Sequence, residues 1–271
     1  MTTLTETRHA PRVLGFGADL VRAWATFSSD FNPVHFDTFH AREAGLDGVI
    51  VHGMLALLPI KQAMAEVATE HGLPPSEWSG FRAVFRKSIP LDAPCRLSIG
   101  EGRQGMDFRL KSETHGDEHF RGSLFATVAP TASIGPCRSL DDHAMLEQRE
   151  ALAQIWPGIN AHWVLLDAII FADFLRSHLA VVQQEALTRM GCNPCAPARI
   201  AMFQTSHSVT YHARLADPAT PAPRNLSYVV PEEKNMIANG HQVMGTVPMH
   251  VSDHHGPVMQ IDVGLMAKLL T

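Results

Sequence analysis

Two short runs carry the side chains best suited to proton chemistry: Asp30-Phe31-Asn32-Pro33-Val34-His35 and Ile50-Val51-His52-Gly53-Met54-Leu55. In the first, Pro33 fixes φ and lacks a backbone N–H, which predicts a kinked loop presenting Asp30 and His35 on one side. An ionised carboxylate and a neutral imidazole held this way can share one water and pass its proton to a neighbouring carbon, worth roughly 10²–10⁴-fold in rate. In the second run, Gly53 opens an apolar stretch that reads as a helix. The first N–H groups of a helix lack intrahelical partners and sit at the positive end of its dipole, and glycine lets a carbonyl come close to them. One such oxyanion donor lowers a barrier by about 2.7–4 kcal/mol. Taken singly, Asp-x-Asn-Pro is a turn signal and His52 a candidate core imidazole. It is the ordered conjunction that points to chemistry.

The run Phe27-Ser28-Ser29-Asp30-Phe31-Asn32-Pro33-Val34-His35-Phe36-Asp37, then Ala41 and Gly45, then Ile50 to Leu55, resembles the MaoC-like, or hydratase 2, branch of the hot-dog fold. The motif of that family is an Asp and a His five positions apart, an Asn-Pro between them and a downstream His-Gly. The likeness covers residues 12–129 and, by motif, nothing beyond. It implies a lyase, either an (R)-specific enoyl-CoA hydratase or a related 3-hydroxyacyl-thioester dehydratase, working by syn addition or removal of water. Carried over residue by residue, it makes Asp30 and His35 the catalytic pair. Asn32 and His52 become residues that orient the pair, and the Gly53 backbone N–H becomes the oxyanion donor. No cofactor and no metal are expected. The implied partner is an acyl-CoA or acyl carrier protein thioester. Its phosphates need local positive charge, for which Arg82, Arg86 and Lys87 are candidates, although charges at a strand edge are as readily just solvated.

At 271 residues the chain has room for about two domains of roughly 150 residues. A single hot-dog unit is complete near Pro130 and leaves its curved sheet uncovered. The expectation is therefore an α+β tandem hot-dog, with a catalytic unit over residues 1–130, a linker over 131–140 and a second, non-catalytic half over 141–271. A hydrophobic content of 45% against 18% charged supports a substantial core and excludes disorder. A net charge of −5, with no sustained Lys/Arg run, argues against nucleic-acid binding. Four cysteines do not make a disulfide framework, and Cys192-Asn193-Pro194-Cys195 lacks the second CxxC of a zinc site. The first dozen residues lack the basic and apolar regions of a secretory signal. Trp163 to Leu175, broken by Asp167 and Asp173, falls short of the roughly 20 residues of a membrane span. A soluble, cytoplasmic protein is expected, a monomeric pseudo-dimer or a homodimer.

The elements that must hold the site follow from periodicity. Leu20, Val21, Trp24 and Phe27 predict a helix over Ala18 to Phe27, after an extended or disordered start. Residues 53 to about 70 are apolar on several sides, as a helix wrapped by a sheet requires, with Pro59 predicting a kink and Gly72 to Pro75 a stop. Strands are predicted at Phe81 to Ile89, Cys95 to Glu101, Met106 to Glu113 and Phe120 to Val128. The second half repeats the order, with helices at Ala144 to Gln154 and Ala161 to Leu187. Its strands are expected at Ile200 to Leu215, Leu226 to Val230, Met236 to Ser252 and Val258 to Ala267. No Asp-x4-His precedes its long helix, where Asn160 and His162 cannot reproduce the spacing. Its other histidines, His207 among them, show no metal-ligand spacing and read as core or surface residues. Two rivals stand beside the lyase: a hot-dog thioesterase, for which Glu66 lies too far along the first long helix, and a non-catalytic acyl-binding partner of a biosynthetic complex. Chain length, carrier and pathway are open at this level.

Overall fold

The computed structural model describes residues 10–71, 76–131, 133–192, 199–232 and 235–270. The first half runs β1 (Arg12–Leu14), α1 (Ala18–Ser28), a 3₁₀ turn at Pro33–His35, α2 (Thr38–Glu43) and α3 (Gly53–His71). It ends with β2 (Trp78–Phe85), β3 (Cys95–Glu101), β4 (Gly105–Ser112) and β5 (Glu118–Thr127). The second half runs β6 (Cys137–Ser139), α4 (Asp142–Ile155), α5 (His162–Arg189), β7 (Ile200–His212), a 3₁₀ turn at Ala213–Leu215 and β8 (Ser227–Val229). It closes with β9 (Asn235–Asn239), β10 (Gln242–Asp253) and β11 (Gly256–Leu269).

All the strand pairings are antiparallel, and the strands join in one sheet of order β1-β3-β4-β5-β2-β7-β11-β10-β8-β6, with β9 paired to β10. Counted inward from its outer edge, and leaving β9 aside, each half has its first, third, fourth, fifth and second strands in that sequence. The repeat is the tandem hot-dog, and β2 pairing with β7, with Phe81 opposite Val209, closes the edge that either half would expose alone. Each half of the sheet wraps one long helix. Along α3 the stretch from Met54 to Ala65 is buried on every side, and α5 is buried from His162 to Phe174. Among the described residues no helix is long and apolar enough to cross a membrane.

Several local expectations need correcting. The Asn32-Pro33 segment is a single 3₁₀ turn, because Asn32 caps it and the proline stands at its first position. Helix α3 continues unbroken through Pro59. The run expected as one strand from Met236 to Ser252 is the β9–β10 hairpin, turned at Gly240 with φ 58°. The first meander strand ends at Phe85, leaving 86–89 outside it, and the extended start contains β1. The expected linker 131–140 contains β6, which pairs with β8. The Gly72 to Pro75 stop and residues 193–195 of the CxxC lie outside the described residues.

Candidate active site

Helix α1 ends at Ser29, whose φ of 62° is left-handed and turns the chain toward Asp30. The Ser28 hydroxyl, itself donating to the Trp24 carbonyl, accepts the Asp30 N–H at 3.2 Å. Asp30 Oδ1 then accepts the Asn32 N–H at 3.3 Å. Asn32 fixes the loop in two directions: its Oδ1 accepts from Val34 N at 3.4 Å, and its Nδ2 donates to the Met202 carbonyl at 3.0 Å. The loop is thus tied to β7, in the other half of the molecule.

The two histidines have opposite tautomers for a clear reason. His35 Nδ1–H donates to the Ile50 carbonyl at 2.9 Å, leaving Nε2 as the lone pair. His52 Nε2–H donates to the Asp30 carbonyl at 2.9 Å, and its Nδ1 is buried without a partner. The rings stack with centroids 3.7 Å apart. Burial pushes the Asp30 carboxyl up and the His35 imidazole down, and each charge partly offsets the effect on the other. His52 is driven down to about 3, mainly by burial and then by His35, so it stays neutral. The carboxyl of Asp30 and the ring nitrogens of His35 and His52 lie within 4.8 Å of one another, a separation a metal ion could bridge.

These groups face a cavity of about 730 Å³ walled by both halves. Gly53, at the start of α3, is in its wall beside Asp30, His35 and His52. A Cβ at Gly53 would stand 2.3 Å from Phe85 Cε2 and 3.0 Å from Gln204 Oε1, so the position is closed to any side chain unless the Phe85 ring yields. Arg86 and Lys87 line the cavity, Lys87 paired with Asp117 at 2.8 Å, while Arg82, exposed on β2, does not reach it. Lys268 also lines it, a cation that sequence reasoning missed for want of any motif near the chain end.

Gln204 was missed as well. On β7 a strict alternation would point residues 204 and 207 to opposite faces. The register between β7 and β11 shifts at Gly264/Leu265, with Ser206 opposite Gly264 and Gln204 opposite Leu265, so Thr205 is the extra residue of a bulge. Gln204 is thereby turned to the side of His207, and its Nε2 donates to His207 Nδ1 at 2.9 Å. His207 Nε2–H donates to Asp167 Oδ1 at 2.8 Å, and Lys61 from α3 pairs with the other carboxylate oxygen. Lys61, Asp167 and His207 are fully buried. Burial pushes Asp167 up, but His207 and Lys61 outweigh it and hold the carboxyl below its ordinary value.

The long helix of the second half begins at His162, followed by Trp163. Trp163 is fully buried, stacked on Tyr211 at 4.6 Å and packed on Phe81. Asn160, in the counterpart loop, exchanges hydrogen bonds with Gln62 of α3 at 2.8 and 3.2 Å.

Residues 3–118 match the family model described as MaoC like domain. A 40-residue segment is 48% identical to the mitochondrial 3-hydroxyacyl-[acyl-carrier-protein] dehydratase of Arabidopsis thaliana, covering 15% of this chain and about a quarter (24%) of that relative's length. A solved MaoC-like dehydratase superposes with a TM-score of 0.51 at 10% identity, over 96% of each chain. A MaoC domain dehydratase structure from Chloroflexus aurantiacus J-10-fl gives 0.50 at 8% identity, over 97% of this chain and 94% of that one. At such identities the structural likeness speaks for the fold. Residues 3–118 are thus similar to the MaoC like domain, and the chain shares its tandem hot-dog fold along nearly its whole length with these two solved structures.

Proposed function

We propose that the protein is a hydro-lyase that adds water to, or removes it from, a 2-enoyl/3-hydroxyacyl thioester carried by CoA or acyl carrier protein, with the (3R) configuration. The observation that carries this reading is the convergence of the Asp30 carboxyl and the His35 Nε2 lone pair on a cavity that also contains the opening of α3. In hydration, the thioester oxygen takes the Gly53 N–H, which draws electrons from Cα=Cβ and makes Cβ electrophilic. A water held between Asp30 and His35 attacks Cβ. The pair takes its proton and returns one to Cα from the same face, and dehydration retraces the path. Burial raises Asp30 and lowers His35, which brings the proton affinities of the two groups closer together and suits a pair that must act as base and then acid.

The catalytic unit in this reading is residues 1–130. The half from 141 onward supplies the far wall of the cavity and no second site, because no Asp-x4-His precedes its long helix. The thioesterase alternative finds no support on α3: Glu66 lies thirteen residues from Gly53, about 20 Å along a helix, and is engaged by Arg12 at 2.8 Å and Gln62 at 3.1 Å. Arg86, Lys87 and Lys268 are the cations available to the carrier's phosphates. The protein acts in the cytoplasm in this reading.

The test is product analysis with short enoyl-CoA and 3-hydroxyacyl-CoA substrates. Asp30→Asn and His35→Ala should each lower kcat by orders of magnitude, and the double variant should be little worse than the worse single one, since members of one proton-transfer unit are non-additive. Retained hydration in either folded single variant rejects the assignment.

A further inference from the structure

We infer that Gln204, contributed by the second half, is a substrate-orienting residue whose amide oxygen accepts a hydrogen bond from the β-hydroxyl of the acyl group in dehydration, or from the attacking water in hydration. The inference rests on the hydro-lyase reading above and deepens it.

The argument is one of hydrogen-bond polarity. The Asp167 carboxylate can only accept, so His207 must present Nε2–H to it. Burial, aided by the Lys61 ammonium, lowers His207 despite Asp167 and favours the neutral ring; its Nδ1 then has only a lone pair, and the group of Gln204 that meets it is the NH₂. The amide therefore cannot flip, and Gln204 Oε1 points away from His207, toward the cavity wall at Gly53. Lys61, bridging from α3 to Asp167, fixes the start of this chain of bonds in the fully buried core. The chain thus runs Lys61, Asp167, His207, Gln204 and ends on a single acceptor beside the opening of α3.

Two further features indicate that this acceptor is built in. The bulge at Thr205 is what turns Gln204 to the cavity side, and it is accommodated at Gly264, where a Cβ would lie 2.1 Å from Ser206 Oγ. Two residues earlier on the same strand, the Met202 carbonyl holds Asn32, so Gln204 and the Asp30/His35 loop are fixed in mutual register. The acceptor faces a substrate that has two kinds of hydrogen-bond donor: the β-hydroxyl, or the water that becomes it, and the amides of the pantetheine arm. An oxygen beside the oxyanion donor favours the former, because that donor meets the acyl end of the thioester. Lys61, Asp167 and His207 are positioning residues, acting only through Gln204.

The experiment compares wild type with Gln204→Met, which keeps length and volume but loses the acceptor. Two quantities are read: kcat/KM for 3-hydroxybutyryl-CoA dehydration, and Ki for butyryl-CoA, a saturated competitor with the same pantetheine arm and no hydroxyl. The expected result is a fall of about tenfold in kcat/KM, the worth of one hydrogen bond, with Ki unchanged within twofold. Gln204→Leu carries the same test should the Met variant not fold. Unchanged kcat/KM overturns the inference. So does an equal loss in both quantities, which would make Gln204 a packing or pantetheine-binding residue. A wild type that shows no dehydration at all, with butyryl-CoA still bound, rejects the hydro-lyase reading itself, a separate outcome from either of these.

Discussion

Replacing Gly53 with alanine sets two opposing effects against each other at one atom. Gly53 is not in the left-handed region, so its backbone accepts alanine without strain, and a helix gains up to about 1 kcal/mol from the exchange. Against that, the new Cβ would lie 2.3 Å from Phe85 Cε2, and the ring would have to retreat until the contact reaches 3.4 Å, where ordinary packing begins. The ring is not free to do so, because it stacks on Phe120 with centroids 4.2 Å apart. Overpacking of this kind costs about 1–3 kcal/mol. The sum predicts a net loss of about 0–2 kcal/mol, measured by urea denaturation. Turnover should fall further than stability does, at least tenfold in kcat for crotonyl-CoA hydration, since displacing an oxyanion donor can cost about 10²–10³-fold. Adding Phe85→Leu separates the two effects. It removes the clash and should restore stability, while kcat stays low because the methyl group still narrows the approach to the helix opening. A Gly53→Ala protein that gains the whole propensity term and keeps its kcat would refute both the packing argument and the role given to Gly53.

Further outcomes follow from the buried groups. His52 has a pKa near 3 when folded and about 6.5 when unfolded, so the unfolded chain binds the extra proton and stability rises with pH across that window, by up to about 1.4 kcal/mol per pH unit. His52→Gln should flatten this slope in denaturation series between pH 4 and 6, and parallel curves for the two proteins would contradict it. Lys61→Met leaves the Asp167 carboxylate buried with His207 alone and should cost about 3–5 kcal/mol, much of it recovered on adding Asp167→Asn. A loss below about 1 kcal/mol in the single variant would mean the pair is not desolvated as described. Titration with a tight, unreactive thioester analogue should give one site per chain. A stoichiometry of two would show that the second half has a site of its own.

The sequence by itself determined which candidate residues stand close together and the order of elements. Asp30, Pro33, His35 and the His52-Gly53 helix start are near neighbours in the chain, so their spacing and backbone constraints are legible there, and the structure brings them to one cavity. The 3.6 and 2 periodicities likewise located α1, α3, α4, α5 and most strands within a few residues, because burial on one face or all round leaves its mark on every turn. What only the tertiary structure decided depends on pairings far apart in sequence. The β7 bulge, set by its register against β11, inverts the facing of Gln204 that alternation would predict. The charged partner of Lys61, Asp167, comes from α5 and is itself bonded to His207 of β7. His207 had no motif because its role is defined by Asp167 and Gln204, one on a helix and one displaced by the bulge. The expected Met236 to Ser252 strand failed for a related reason: both arms of the β9–β10 hairpin are extended, and only their mutual pairing across Gly240 makes them two. Local sequence encodes dihedral preference and amphipathicity, whereas side-chain facing after a bulge and the neutralisation of a buried charge belong to contacts that exist only once the sheet has closed.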